Sequence, residues 1–177
     1  MKKFSYFLII LFCCLQSTLI YAEITIDGKL DEDEWKEARQ ITSFYEVFPY
    51  TLNPVEDIKT VILIQESSQG IFIGFKNYQS NESMRSQSHQ RDNERSIADK
   101  NGVTIDFDAD KLSGYQFFVS SSGSIGDATY SNENERSYDW DADWLSAAST
   151  EEGVWYSEMF IPWTVAPMKA QSGEQRK

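Results

Sequence analysis

The chain has 177 residues, with 16 basic against 28 acidic side chains, a formal net charge of −12 and 14% aromatic residues. One domain with a substantial core fits that length and composition, and wholesale disorder does not. Nucleic acid and an anionic membrane surface are excluded as partners, because each calls for a basic stripe and none is visible.

Residues 1–22 read as a secretory signal. Lys2 and Lys3 form a charged start, Phe7 to Leu15 is an apolar run, and Ala22 is a small residue at the cut. The run is too short, and too soon interrupted by Gln16, Ser17 and Thr18, for a membrane span. Export across the inner membrane is therefore expected, to a periplasmic, outer-membrane-associated or extracellular location. Cleavage removes both cysteines, Cys13 and Cys14, and with them any disulfide, thiolate-metal or cysteine-nucleophile chemistry. It also removes two lysines and no acid, which takes the net charge to −14.

Strand-like runs separated by turn signals fill the rest. Ile24 to Ile26 ends at the turn dipeptide Asp27-Gly28. Asp31, with Glu34 three residues on, has the form of a capping box for a short helix over Glu32 to Ala38. Phe44 to Phe48 reads as a strand. Ile58 to Gln65 and Ile71 to Tyr78 read as a hairpin turned by Ser67-Ser68-Gln69-Gly70. Gln79 to Lys100 is polar and nearly devoid of apolar side chains, hence a long loop. Further strands are expected at Gly102 to Phe107, Tyr115 to Ser120, Ile125 to Tyr130, Asp139 to Ala147 and Val154 to Ile161. Eight strands against one short helix predict an all-β fold, an antiparallel, jelly-roll-like sandwich over residues 23–168, with a polar tail from 169 to 177.

Several segments, taken in order, form a pattern. They are Ile26-Asp27-Gly28-Lys29-Leu30-Asp31-Glu32 leading to Trp35, Ile71 to Phe75, Val103 to Asp108, Tyr115 to Val119 with Gly123, Gly126-Asp127, Trp140 to Trp144, and Trp155 to Pro162. In this order the chain resembles a family 9-like carbohydrate-binding module, in particular the amino-terminal module of large bacterial surface proteins. The resemblance implies a β-sandwich, frequently with bound calcium, that holds sugars and is not an enzyme. It implies an oligo- or polysaccharide partner and a larger glycan-processing or surface protein. It also departs from the family. Ala98-Asp99-Lys100 stands where sugar-binding members place a stacking tryptophan, Thr104 where they place a glutamate, and Phe118 where they place an arginine. Members continue beyond the Ile161-Pro162 motif, so truncation near residue 169 is expected. The alternative reading is a structural domain that packs on a carboxy-terminal outer-membrane region and binds no sugar.

Three groups of residues carry candidate chemistry. Asp106, Asp108 and Asp110 share one strand face, where calcium would relieve their repulsion; otherwise they form a solvated strand end. In Tyr138 to Trp144, read as a strand, Trp140 and Trp144 share a face opposite Asp139, Asp141 and Asp143. Flat indoles suit sugar rings and carboxylates suit hydroxyls, although strand tryptophans usually serve packing. Asp127 and Asp141 fall on family positions and are open to a cation, a ligand or a buried turn hydrogen bond. In the long loop, Arg85, His89, Arg91, Asp92 and Arg95, with Arg91 foremost, are the candidates to close over an anionic or sugar ligand; otherwise the loop is simply solvated. The 28 acids single out no pair with glycosidase geometry, so no catalytic residue is expected.

Overall fold

The structure is a computed structural model and describes residues 24–168, apart from 49, 56–58, 94 and 133–134. The expected signal at 1–22 and the tail at 169–177 lie outside the described residues.

Among the described residues, nine strands form two antiparallel sheets. They are β1 (Arg39–Ile41), β2 (Lys59–Glu66), β3 (Gly70–Tyr78), β4 (Lys100–Ile105), β5 (Ser113–Ser120), β6 (Ile125–Ser131), β7 (Glu135–Ser137), β8 (Leu145–Glu151) and β9 (Val154–Pro162). One sheet has the order β1-β2-β3-β9-β8 and the other β4-β5-β6-β7. The all-β sandwich expected from the alternating runs is the architecture observed.

Period-two alternation decides which side chains meet between the sheets. Ile73 and Phe75 of β3, Met159 and Ile161 of β9, and Phe117 and Val119 of β5 point inward and join Trp144 in the core. Asn101 and Ser157 cross the same space with a 2.8 Å hydrogen bond. The opposite face of the five-stranded sheet has its own smaller core, in which Phe72 packs with Ile24, Trp35 and Ala38 of the amino-terminal segment.

The hairpin of β2 and β3 forms as expected, with Ser67 Oγ accepting from the amides of Gln69 and Gly70. The expected helix shrinks to one 3-10 turn, Asp33–Lys36. Glu32 and not Asp31 stands at its start, and no side chain caps it. Glu32 instead accepts from the Thr25 amide, and Trp35 anchors the turn to the sheet. Of the expected strand over 44–48 there remains an isolated bridge between Tyr45 and Pro54. Residues 138–144 are irregular, and β8 starts at Leu145, so the tryptophan–aspartate run is not a strand. Backbone and side-chain bonds to the Arg91 node, described next, hold that run and replace a ladder.

Candidate functional site

The sequence-predicted ligand residues Arg91, Asp127, Trp140, Asp141 and Trp144 gather at one end of the sandwich. The loop over 79–99 brings Arg91 there, because it is tied at several points to the β5–β6 turn and β6. Ser121 N donates to the Asp99 carbonyl and Ser121 Oγ to the Arg85 carbonyl, His89 N donates to Ser124 Oγ, and Asp92 N donates to the Ile125 carbonyl. Asp127 N donates in turn to Asp92 Oδ1 at 2.8 Å.

Asp127 is 0% exposed, and its Oδ2 collects three donors. They are an Arg91 guanidinium N–H, Trp144 Nε1 at 2.8 Å and the Ala142 amide at 3.3 Å. Arg91 also donates to the Ala142 carbonyl at 3.0 Å and lies 3.1 Å from Asp141 Oδ1 and 3.6 Å from Asp92 Oδ2. Burial, together with the charges of Asp127 and Asp141, holds the Asp92 carboxyl above its ordinary range, against the pull of the Asp127 amide and Arg91. The arrangement is an internal ion-pair node.

Both tryptophans turn inward. Trp144 is 7% exposed, with its ring edge-on to Phe117. Trp140 is half-buried and packs edge-on against Tyr115 and Phe117. Their ring systems belong to the core, so the side-by-side platform expected from a strand is not formed.

Asp106, Asp108 and Asp110 are engaged locally. Asp106 accepts from the amides of Asp108 and Lys111, at 3.1 and 2.7 Å, and Asp110 accepts from those of Leu112 and Ser113. Among the described residues, the carboxylates that bring three oxygens within 4.8 Å of one another are those of Asp92, Asp127 and Asp141. Asp127 Oδ1 is buried there without a hydrogen-bond partner. This oxygen set suits a hard cation, and the Arg91 guanidinium already supplies positive charge to it.

Open clefts lie elsewhere. One, of about 210 Å³, lies on the outer face of the four-stranded sheet, lined by Lys100, Gln116, Phe118, Arg136 and Tyr138. Strand register creates it: Gly102 pairs with Phe118, and Phe118 with Gly126. A Cβ on Gly126 would sit 2.1 Å from the Phe118 ring, so the missing side chain lets that ring lie across β6 as the cleft floor. Lys100 Nζ stands 5.1 Å from the Phe118 ring centre. The Arg136 guanidinium lies 4.5 Å from the Tyr138 ring centre, faces Tyr130 on its own strand pair, and donates to Gln116 Oε1. Sequence reasoning noted Phe118 and Lys100 as departures from a family pattern, passed over Gln116 and Tyr138 inside longer motifs, and missed Arg136. Arg136 lies on β7, a three-residue polar strand with no apolar alternation to announce it.

A larger groove, about 440 Å³, lies on the five-stranded sheet beside the amino-terminal segment. Its walls mix Asp31, Glu32 and Glu151 with Lys36 and Lys76, and Lys76 is held between the Tyr78 and Tyr156 rings at 5.0 and 5.6 Å.

Two packed antiparallel sheets, with a ring-floored cleft on one outer face, define the class: an antiparallel β-sandwich. Solved structures with this fold include a family 9 carbohydrate-binding module from Caldicellulosiruptor kristjanssonii in complex with glucose. It superposes with a TM-score of 0.56 at 12% identity, over 83% of this chain and 68% of that one. The complex of such a module from the same organism with cellotriose gives 0.53 and 12%, over 83% and 67%. The chain thus has a family 9-like fold, as its motifs imply. No protein-family profile and no curated protein matches its sequence.

Proposed function

We propose that the chain is a non-catalytic carbohydrate-binding module whose ligand sits in the cleft of Lys100, Gln116, Phe118, Arg136 and Tyr138. The observation that carries this reading is the composition of that cleft, a buried aromatic floor rimmed by hydrogen-bonding side chains. Apolar sugar faces pack on rings, and hydroxyls take up donors and acceptors such as the Gln116 amide. A volume below the ~300–1,000 Å³ of drug-sized sites suits one sugar unit, a chain end or a branch. Positions 98–100, 104 and 118, where the family resemblance places sugar contacts, lie on or beside the same sheet face. Export and membership of a larger surface or glycan-processing protein belong to the same reading.

Thermal unfolding with a panel of soluble oligosaccharides tests it. A ligand that binds only the folded state raises the midpoint. The expected result is a shift with at least one glycan class that Phe118→Ala or Tyr138→Ala abolishes. A cooperative melt that no glycan moves overturns it.

Calcium has its place in this reading at Asp92, Asp127 and Asp141, where the ion and the Arg91 guanidinium compete for the same oxygens. A rise in melting midpoint with calcium, reversed by a chelator and absent in Asp141→Asn, is the expected result.

One observation favours the structural alternative. The ribbon over 45–54 is hydrogen-bonded (Glu46 N to Asn53 O, Val55 N to Phe44 O) yet presents Tyr45, Val47, Phe48, Tyr50 and Leu52 to solvent, Phe48 at 93% exposure. An exposed apolar tip of this kind suits docking on another surface.

A further inference from the structure

We propose that the ligand of this cleft is an anionic glycan, one bearing a uronate carboxylate or a sulfate ester. This rests on the sugar-binding reading above and names the class of sugar.

The chain carries 28 acids and 16 basic side chains, and among the described residues Lys29, Lys36 and Arg91 have a carboxylate within ion-pair distance. Lys100 and Arg136 do not: among the described residues neither has a carboxylate that close, and no carboxylate lines the cleft. They converge on one small space and repel each other. Burial first, and then the charge of Arg136, hold the Lys100 ammonium below its ordinary range.

Neutral groups hold both cations in place. Arg136 donates to the amide oxygen of Gln116 and lies on the Tyr138 ring, and Lys100 stands over Phe118. Ring faces and an amide orient a cation without neutralising it, which leaves its charge for a ligand. The guanidinium fork matches the two oxygens of a carboxylate or sulfate, and the ammonium adds a point charge. A neutral glucan would leave both charges partly desolvated and unpaired, which disfavours it.

The same face continues past the cleft. Thr104 on β4 and Gly114 on β5 lead to a second hollow of about 300 Å³ beside Tyr130, bordered by both Asp106 and Lys111, so the cationic character belongs to the first cleft. A chain lying across β4 and β5 would thus seat its acidic unit between Lys100 and Arg136.

Titration of the purified full chain with three probes tests the proposal: cello-oligosaccharides, oligogalacturonates and κ-carrageenan oligosaccharides, which carry sulfate and no carboxylate. The expected result is binding of an acidic probe at least 10-fold tighter than of the neutral one, weakening as salt rises. Arg136→Gln and Lys100→Gln should each weaken it about 10- to 100-fold, as for a hydrogen bond to a charged group. Their unchanged melting midpoints would separate lost recognition from lost folding. The carboxylate and sulfate probes distinguish the two anions. Equal or tighter binding of cello-oligosaccharides, unaffected by Lys100→Gln, overturns the anionic class and leaves the sugar site standing. Binding of none of the three, together with silence across the wider panel, overturns the sugar site itself.

Discussion

Arg91 and Asp127, 36 residues apart in sequence, form an ion pair whose carboxylate is wholly buried and whose guanidinium is about one-third exposed. The pair joins the loop over 79–99, strand β6 and the irregular run over 138–144. Removing the cation leaves a buried charge near Asp92 and Asp141 without its counter-ion, held by Trp144 Nε1–H and the Ala142 amide alone. Breaking a buried pair costs ~3–5 kcal/mol, and the partial exposure of Arg91 argues for the lower part of that range or below. Arg91→Ala should therefore unfold at distinctly lower denaturant, by about 2–3 kcal/mol. Because Trp144 Nε1 donates to the same carboxylate oxygen, its fluorescence should report the change before global unfolding.

Glu158 holds the amino-terminal turn. Its Oε2 accepts from Asp27 N at 3.0 Å and Gly28 N at 2.7 Å, while its Oε1 is buried without a partner. Burial pushes its carboxyl up from 4.5 to about 7, with the two amides pulling the other way and Glu32 and Asp27 adding to the rise. The folded chain therefore keeps a proton between pH 4.5 and about 7 that the unfolded chain releases. By linkage, the stability contributed by this group is full below pH 4.5 and is lost as pH rises to about 7. Melts between pH 5 and 7.5 should show a falling midpoint, and Glu158→Gln, which does not titrate, should flatten that slope.

Gly28 makes the same turn from the other side. Its φ is +89°, and a Cβ would lie 2.9 Å from the Ala148 carbonyl carbon on β8. Gly28→Ala meets both backbone strain and a backbone clash, each of order 1–3 kcal/mol. Loss of about 2 kcal/mol or more is expected in chemical denaturation. Proteolysis should cut first near residue 28, as the turn lifts from the sheet.

The apolar tip of the 45–54 ribbon should be dispensable for folding. Phe48→Ser removes a side chain that is 93% exposed, so stability should move by less than ~0.5 kcal/mol. Solubility at high concentration should improve. A large destabilisation would mean that the ribbon packs on the body of the domain.

Much of the architecture was legible because it depends on local pattern. The β2–β3 hairpin follows from β-branched alternation around Ser67 to Gly70, and the Asp27-Gly28 turn from a dipeptide that tolerates positive φ. The capping box was misleading because Asp31 and Glu34 suit a helix start in isolation, whereas Trp35 is drawn to the sheet and Glu32 to the Thr25 amide. The tryptophan–aspartate run alternates like a strand, but Asp127 and Arg91 take over its backbone and side-chain partners. Nothing near Arg91 in sequence announces that it is the counter-ion of Asp127.

Local sequence alone determined the fold class, the β2–β3 hairpin and the long loop, since hydrophobic period and turn chemistry act over a few residues. Only the tertiary structure decided that Trp140 and Trp144 face the core, that Arg91 closes on Asp127, and that Lys100, Phe118 and Arg136 share one cleft. Those outcomes depend on which strands pair and in which register. Pairing energy comes from contacts made across tens of residues, and the burial of one side chain on another cannot be read from either alone.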